Sequence, residues 1–160
     1  MFYLSFIQKI KNYFFPFYKN KELRFIFKTL QYGFSKDTVV ARFVGGCVRK
    51  FLKNEEIDDI DVATILSTKE IKDRFKNTNF KVIETGAKHG TVTLMSDQFK
   101  LELTTLRKDI KTDGRHAEVE YINDWQIDYE RRDFTINAIY LDINGKIFDP
   151  QMGTTDLKNN

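Results

Sequence analysis

The sequence predicts an α+β domain, with a mixed sheet of about five strands flanked by helices and an N-terminal helical extension. Three observations predict it. Short apolar or alternating runs bounded by turn residues recur at 39–44, 57–65, 80–83, 91–95 and 99–106, with the length and spacing of strands. Segments with helical spacing lie among them, at 22–32 and after Thr68. Gly45-Gly46 ends the first strand and opens a short helix over 47–52, and a helix that starts on glycines is suited to phosphate.

At 160 residues the chain is expected to be one domain with a sizeable core. Hydrophobic residues make up 41% and charged residues 31%, which is globular rather than disordered composition. The formal net charge of +3 permits weak attraction to RNA without demanding it. One cysteine, Cys47, rules out an intrachain disulfide and suits a reducing compartment, so a cytoplasmic location is expected. With two histidines beside that cysteine, a zinc site is not expected.

In chain order, residues 1–21 are apolar and aromatic, interrupted by Lys9, Lys11 and Lys19. No apolar run there is long enough to span a bilayer, and the order of charge and apolarity is wrong for a signal peptide. Stable membrane insertion is therefore not expected. The segment reads as an amphipathic helix that packs on the domain or on a partner, which is the preferred reading, or that lies on a membrane surface. Residues 22–32 carry Leu23, Phe25, Phe27 and Leu30 at helical spacing, with Gly33 as the stop.

The strand at 57–65 carries Asp59 and Asp61. Residues two apart on a strand share a face, so the two carboxylates project together while Ile60 and Val62 turn to the core. Such a pair raises its own pKa values unless a cation sits between. Oxygen ligands of this kind suit Mg²⁺, which takes one or two carboxylates plus substrate phosphates. Gly45 and Gly46 let backbone N–H groups approach a ligand, and Arg49 can add a charge-assisted contact. The stretch reads as a triphosphate cradle facing a metal-binding carboxylate pair. Asp-x-Asp also occurs in solvated turns and helix caps, and Gly-Gly in plain turns, so on this stretch alone both readings stand.

Downstream, Thr68 is expected to cap a helix with Ile71 and Phe75 on one face. Residues 84–90 read as a turn with two glycines, and 91–95 and 99–106 as antiparallel strands joined at Ser96-Asp97. On the second strand Leu101 and Leu103 face one way, Glu102 and Thr104 the other. Glu102 is either a third carboxylate beside the aspartates, acting as base or outer metal ligand, or an exposed strand residue. Residues 108–117 are polar and read as a mobile loop, with Arg115 and His116 either positioning substrate or incidental. Residues 124–130 read as a helix start in which Trp125 is a core anchor, and 139–149 as a hairpin turning at Asn144-Gly145. Between them stands Arg131-Arg132-Asp133-Phe134-Thr135. Adjacent arginines are usually a solvated face.

The motifs together resemble the head domain of the tRNA nucleotidyltransferase (CCA-adding) and bacterial poly(A) polymerase family, of the DNA polymerase β superfamily. The signature of that family is Gly-Gly-x-Val-Arg-Asp, a short helix, then Asp-x-Asp and an apolar-Ala-Thr. Here those positions are Gly45, Gly46, Val48, Arg49, Asp59, Asp61, Ala63 and Thr64. Three further blocks follow in order: Thr85-Gly86 with His89-Gly90-Thr91, then Glu102-Leu103-Thr104-Thr105-Leu106-Arg107, then Arg131 through Ala138. The resemblance implies a polymerase-β-like head over 34–157 after an aromatic-rich extension over 1–33. It implies transfer of a nucleotide from CTP or ATP to the 3′-hydroxyl of a tRNA or other RNA, with pyrophosphate leaving. It implies Asp59 and Asp61 as catalytic ligands of two Mg²⁺ ions, with Glu102 as a candidate third carboxylate. Gly45, Gly46, Arg49, Arg131, Arg132 and Asp133 are the implied nucleotide-binding residues, Arg131 most directly, and Asn137 is expected to hold local backbone.

Two departures matter. Lys50 stands where the family has Asp. Nothing here matches the next domain of the family, whose Glu-Asp-x-x-Arg motif selects the base, nor its body and tail. The expectation is a head that works with a second chain carrying neck and RNA-binding domains. The alternatives are a poly(A)-type head, or a weak or inactive partner-binding remnant with the aromatic N-terminus as its surface.

Overall fold

The computed structural model describes residues 2–86, 89–97, 99–112 and 117–159. The element order begins with two helices, α1 (Phe2–Phe14) and α2 (Lys21–Gln31), joined through a 3-10 turn at Phe17–Lys19. The Gly-Gly unit follows as β1 (Ala41–Val44) and α3 (Gly46–Leu52), then β2 (Asp61–Thr64) and α4 (Thr68–Phe75). Three strands come next, β3 (Lys81–Gly86), β4 (Thr91–Met95) and β5 (Lys100–Thr105). A ribbon of β6 (Arg107–Thr112) and β7 (Ala117–Tyr121) leads to α5 (Trp125–Glu130), a short hairpin β8 (Tyr140–Leu141) and β9 (Ile147–Phe148), and α6 (Gly153–Asn159).

The main sheet runs β3-β4-β5-β2-β1-β8-β9, seven strands rather than about five, because the two-residue strands β8 and β9 extend one edge. β2 and β5 pair in parallel and the other neighbours are antiparallel, so the sheet is mixed as expected. One face carries the main core. Leu23, Ile26, Phe27 and Leu30 of α2 pack with Phe43, Val62, Leu101 and Leu103 from the strands and Ile71 and Phe75 of α4. Burying a side chain such as Phe43 or Leu30 stabilises the fold by about 1.5–3 kcal/mol. The other face is only partly covered. Val44, Ala63, Leu106 and Tyr140 pack there under Trp125 and Tyr129, leaving the Asp61 end of that face open.

Several local expectations change. The cap of α4 is Ser67, not Thr68. The Ser67 hydroxyl accepts from the Glu70 N–H, and the Glu70 carboxylate accepts in return from the Ser67 N–H, a reciprocal capping box. Ser67→Ala is expected to destabilise the protein by about 1 kcal/mol, read from the midpoint of a urea melt. The polar stretch after Arg107 is paired as the β6–β7 ribbon rather than a loop; Arg115 and His116 lie outside the described residues. Trp125 is anchored as expected: its ring packs edge-on to Tyr140 and its Nε1–H donates to the Val39 carbonyl at 3.1 Å. The hairpin turns at Gly145, whose φ of +86° suits a residue without a Cβ.

The N-terminal helix turns several of its described aromatic residues outward and meets the domain through a polar one. Phe6, Tyr13 and Phe14 are 61%, 79% and 61% exposed, while Asn12 is buried with its Nδ2–H donating to the Phe51 carbonyl. Among the described residues no helix is long and apolar enough to cross a membrane.

Candidate active site

The strand β1 ends at Val44, and Gly45 starts α3 with φ +73°. A side chain in that conformation is strained by about 1–2 kcal/mol. A Cβ at Gly45 would point at Asp61, 3.8 Å from its Oδ2. The glycine therefore keeps open the space between the helix start and the carboxylate. Cys47 ties the two pieces together: its thiol donates to the Val44 carbonyl at 3.3 Å and to the Asp61 carbonyl at 3.6 Å. Burial pushes that thiol up to about 11, so it is a structural group rather than a nucleophile.

The carboxylates meet, though not by the strand alternation expected for them. β2 begins at Asp61, and Asp59 lies in the irregular lead-in. Pairing starts only where the Ile60 carbonyl accepts the Glu102 N–H at 2.9 Å. Asp59 and Asp61 nevertheless line one concavity of about 270 Å³ with Asp58, Lys100 and Glu102. Glu102 sits directly opposite Asp61 in the parallel β2–β5 register and lines the same concavity. Burial pushes the Asp61 carboxyl up, and the neighbouring Glu102 and Asp59 charges push it further; Arg132 pulls it partly back. Clustered carboxylates raise one another in this way, and a cation between them would reverse the effect. Among the described residues no group of three or more His, Cys, Asp or Glu forms a ready-made metal cage. Two carboxylates completed by substrate oxygens are the donor set that Mg²⁺ accepts, so the residues fit that ion.

Lys50 has a partner. Its Nζ lies 2.5 Å from Asp58 Oδ1, and the same oxygen accepts the Asp59 N–H at 2.9 Å. The helix that begins with the glycines is thereby tied to the loop carrying Asp59. Both side chains are substantially exposed, so the ion pair orients the loop more than it stabilises the fold.

Behind the carboxylates stands an arginine cluster that the sequence only half disclosed. Arg131 donates from Nε and Nη2 to Asp128 Oδ1 at 2.9 and 2.8 Å. Arg132 donates from Nη2 to Asp128 Oδ2 at 2.9 Å and from Nε to the Tyr140 hydroxyl at 3.0 Å. The Tyr140 hydroxyl donates to the same Oδ2 at 2.7 Å. Asp128 is only 1% exposed. Burial alone would raise its pKa, but Arg132, Arg131 and the tyrosine hydroxyl together hold it below the usual carboxylate range. The spacing signal was present, since Asp128 precedes the arginines by three and four residues on a helix. Arg49 donates to Asn137 Oδ1 at 2.6 Å. Asn137 therefore orients Arg49 through its side chain, rather than only bracing local backbone. Asp133 is exposed and stands outside this cluster among the described residues.

The comparisons with known proteins agree with this geometry. Residues 41–160 match the model of the Poly A polymerase head domain. The CCA tRNA nucleotidyltransferase 1, mitochondrial, of Danio rerio is 44% identical over 127 residues, 79% of this chain and 30% of that protein. The crystal structure of the Bacillus stearothermophilus CCA-adding enzyme in complex with CTP superimposes with a TM-score of 0.72 at 33% identity, over 88% of this chain and 32% of that one. A tRNA nucleotidyltransferase complexed with a primer tRNA and an incoming ATP analog matches with a TM-score of 0.57 at 30% identity, over 74% of this chain and 33% of that one. The chain thus spans about a third of the length of the proteins it matches.

Proposed function

The chain belongs to the Poly A polymerase head-domain family, and from that premise we propose that it transfers a nucleotide from CTP or ATP to the 3′-hydroxyl of an RNA, as tRNA 3′-CCA addition or repair. The observation that carries this reading is the convergence of Asp59, Asp61 and Glu102 beside the Gly45-Gly46 helix start. Mg²⁺ held by Asp59 and Asp61 would lower the pKa of the attacking hydroxyl and neutralise charge on the departing pyrophosphate. The residues of the chain do the rest. The α3 N-terminus and Arg49 receive the triphosphate, with Asn137 fixing the reach of Arg49. Arg131 and Arg132, pinned by Asp128, supply positive charge in a fixed geometry, so little reorganisation is needed as charge moves in the reaction. Glu102, opposite Asp61, adds negative charge that the bound cation would offset, and is assigned the part of base for the hydroxyl proton. Asp133, exposed on the turn after Arg132, is assigned to the ribose end of the nucleotide by the family resemblance alone.

Residues 34–157 form the head in this reading and 1–33 its helical extension, with α2 tying the extension to the head core. Base selection and most of the grip on tRNA fall to sequence other than these 160 residues, on the same polypeptide or on a second chain. The buried free thiol of Cys47 supports a reducing compartment, which we take as cytoplasmic.

The test is incorporation of labelled CTP and ATP onto a tRNA lacking its 3′ end, with Mg²⁺. We expect incorporation that depends on Asp61. A chain that is folded and binds CTP with the metal, yet adds no nucleotide alone or with the neck and RNA-binding domains of a relative supplied in trans, would overturn the catalytic reading. Incorporation of ATP alone, in long runs, would move the assignment to poly(A) synthesis.

A further inference from the structure

At the opposite end of β1 from the glycines lies a second concavity, of about 580 Å³, between α2, the start of β1 and the β8–β9 turn. Its wall carries five cations, Arg24, Lys28, Lys36, Arg42 and Lys146, against one acid, Asp142. That acid is already engaged, because its Oδ1 accepts the backbone N–H groups of Asn144 and Lys146. None of the five cations forms an ion pair among the described residues. Five cations against one carboxylate, which is near enough to attract Arg42, is a concentration of charge in a chain whose formal net charge is only +3.

The arrangement carries a cost that the fold does not require. Arg24 and Lys28 stand at i and i+4 on α2, where like charges repel and destabilise the helix by a few tenths of a kcal/mol. Arg42 is held between the rings of Trp125 and Phe148, 4.5 and 4.3 Å from their centroids. Its Nη1 is buried without a hydrogen-bond acceptor. Between the two rings the guanidinium is fixed in orientation at the wall of the hollow. Phosphate oxygens are the acceptors that a guanidinium in a basic hollow matches best.

We propose that this hollow is a phosphate-binding surface for the backbone of the RNA substrate, separate from the carboxylate site. Arg42 lies three residues before Gly45, about 10 Å along the strand, so a polynucleotide whose 3′ end sits at Asp61 can reach it with phosphates a few residues upstream. A free nucleotide or inorganic phosphate offers the same chemistry. The spread of cations over three separate elements favours a polyanion. The RNA identity of the ligand rests on the proposed function.

The test compares the full chain with the triple variant Arg24→Gln/Lys28→Gln/Lys146→Gln. A control variant, Lys69→Gln/Lys76→Gln/Lys81→Gln, removes the same charge from exposed positions elsewhere. Binding of a fluorescent acceptor-stem RNA lacking its 3′ end is followed by anisotropy across a salt series. Binding of CTP alone, with Ca²⁺ replacing Mg²⁺ to prevent turnover, is measured in parallel. The hollow variant should lose about tenfold to a hundredfold in RNA affinity and flatten the log–log salt slope by about two. Its CTP affinity and the RNA affinity of the control should stay near wild type. Equal loss in both variants would reduce the effect to net charge and overturn the site. Loss of CTP or inorganic phosphate binding with RNA binding intact would make the hollow a free-nucleotide site and overturn the RNA assignment. If wild type binds CTP but no RNA, the hollow proposal fails and nucleotide binding at the carboxylate site stands. If it binds RNA but no CTP, the proposed function fails instead.

Discussion

Asp61→Ala is expected to reduce nucleotide incorporation by at least about a thousandfold while leaving the fold intact. The two effects separate because the Asp61 carboxyl opposes folding. It is partly buried, faces Glu102 across the β2–β5 register, and has Asp59 nearby. A carboxyl whose folded pKa is raised binds its proton more tightly in the native state than in the unfolded one. Stability therefore falls as pH rises from the unfolded value through the folded value, and at neutral pH the ionised group is a net cost. Asp61→Asn, which keeps the shape and removes the charge, should melt above wild type at neutral pH without metal. It should also lose the further stabilisation that Mg²⁺ with CTP gives wild type. Single-turnover rates near wild type in either variant would sink the assignment of Asp61 as the central ligand.

The second large effect is structural. Asp128→Asn leaves two partly buried arginines and a buried tyrosine hydroxyl facing a neutral amide. Removing one partner of a buried charge cluster costs about 3–5 kcal/mol, enough to bring a small domain close to unfolding at room temperature. The pH dependence has the opposite sign to that of Asp61. The Asp128 carboxyl is held below its ordinary range, since the arginines and the tyrosine outweigh burial. Its stabilisation is complete above the unfolded value of about 3.9 and disappears as pH falls through the lower folded value. Wild type and variant should therefore differ strongly in Tm at pH 7 and converge below about pH 4. A difference that persists undiminished in acid would mean that Asp128 acts through packing rather than charge.

The substitution that departs from the family pattern has a physical account. Lys50 replaces an acid on α3, and Asp58 supplies an acid opposite it. The contact that results ends on the loop carrying Asp59, so the helix that cradles phosphate and the loop that offers a carboxylate remain coupled.

Much of this was legible from residues alone, because local spacing carries local geometry. Gly45-Gly46 between an apolar strand and a short helix, the Asp-x-Asp, the alternation of Leu101 and Leu103 with Glu102, and the Asn144-Gly145 turn all depend on neighbours within a few positions. Periods of 3.6 and 2 and the freedom of glycine are properties of the backbone itself. The points that sequence reading left open or missed share a different cause. The placement of Glu102 beside Asp61 required knowing that β5 pairs in parallel with β2 across an intervening helix and hairpin. The bond from Arg49 to Asn137 joins residues 88 positions apart. The pairing of β6 with β7 overrode a polar composition that suggested a loop. The outward turn of the aromatic face of α1 was decided by which side of that helix meets Phe51, and composition cannot specify a docking direction. Sequence by itself determined the family, the sheet-forming segments and the identities of the charged groups. Only the tertiary structure decided which charges meet and which are left without partners. Long-range electrostatics depends on distances that chain connectivity does not encode.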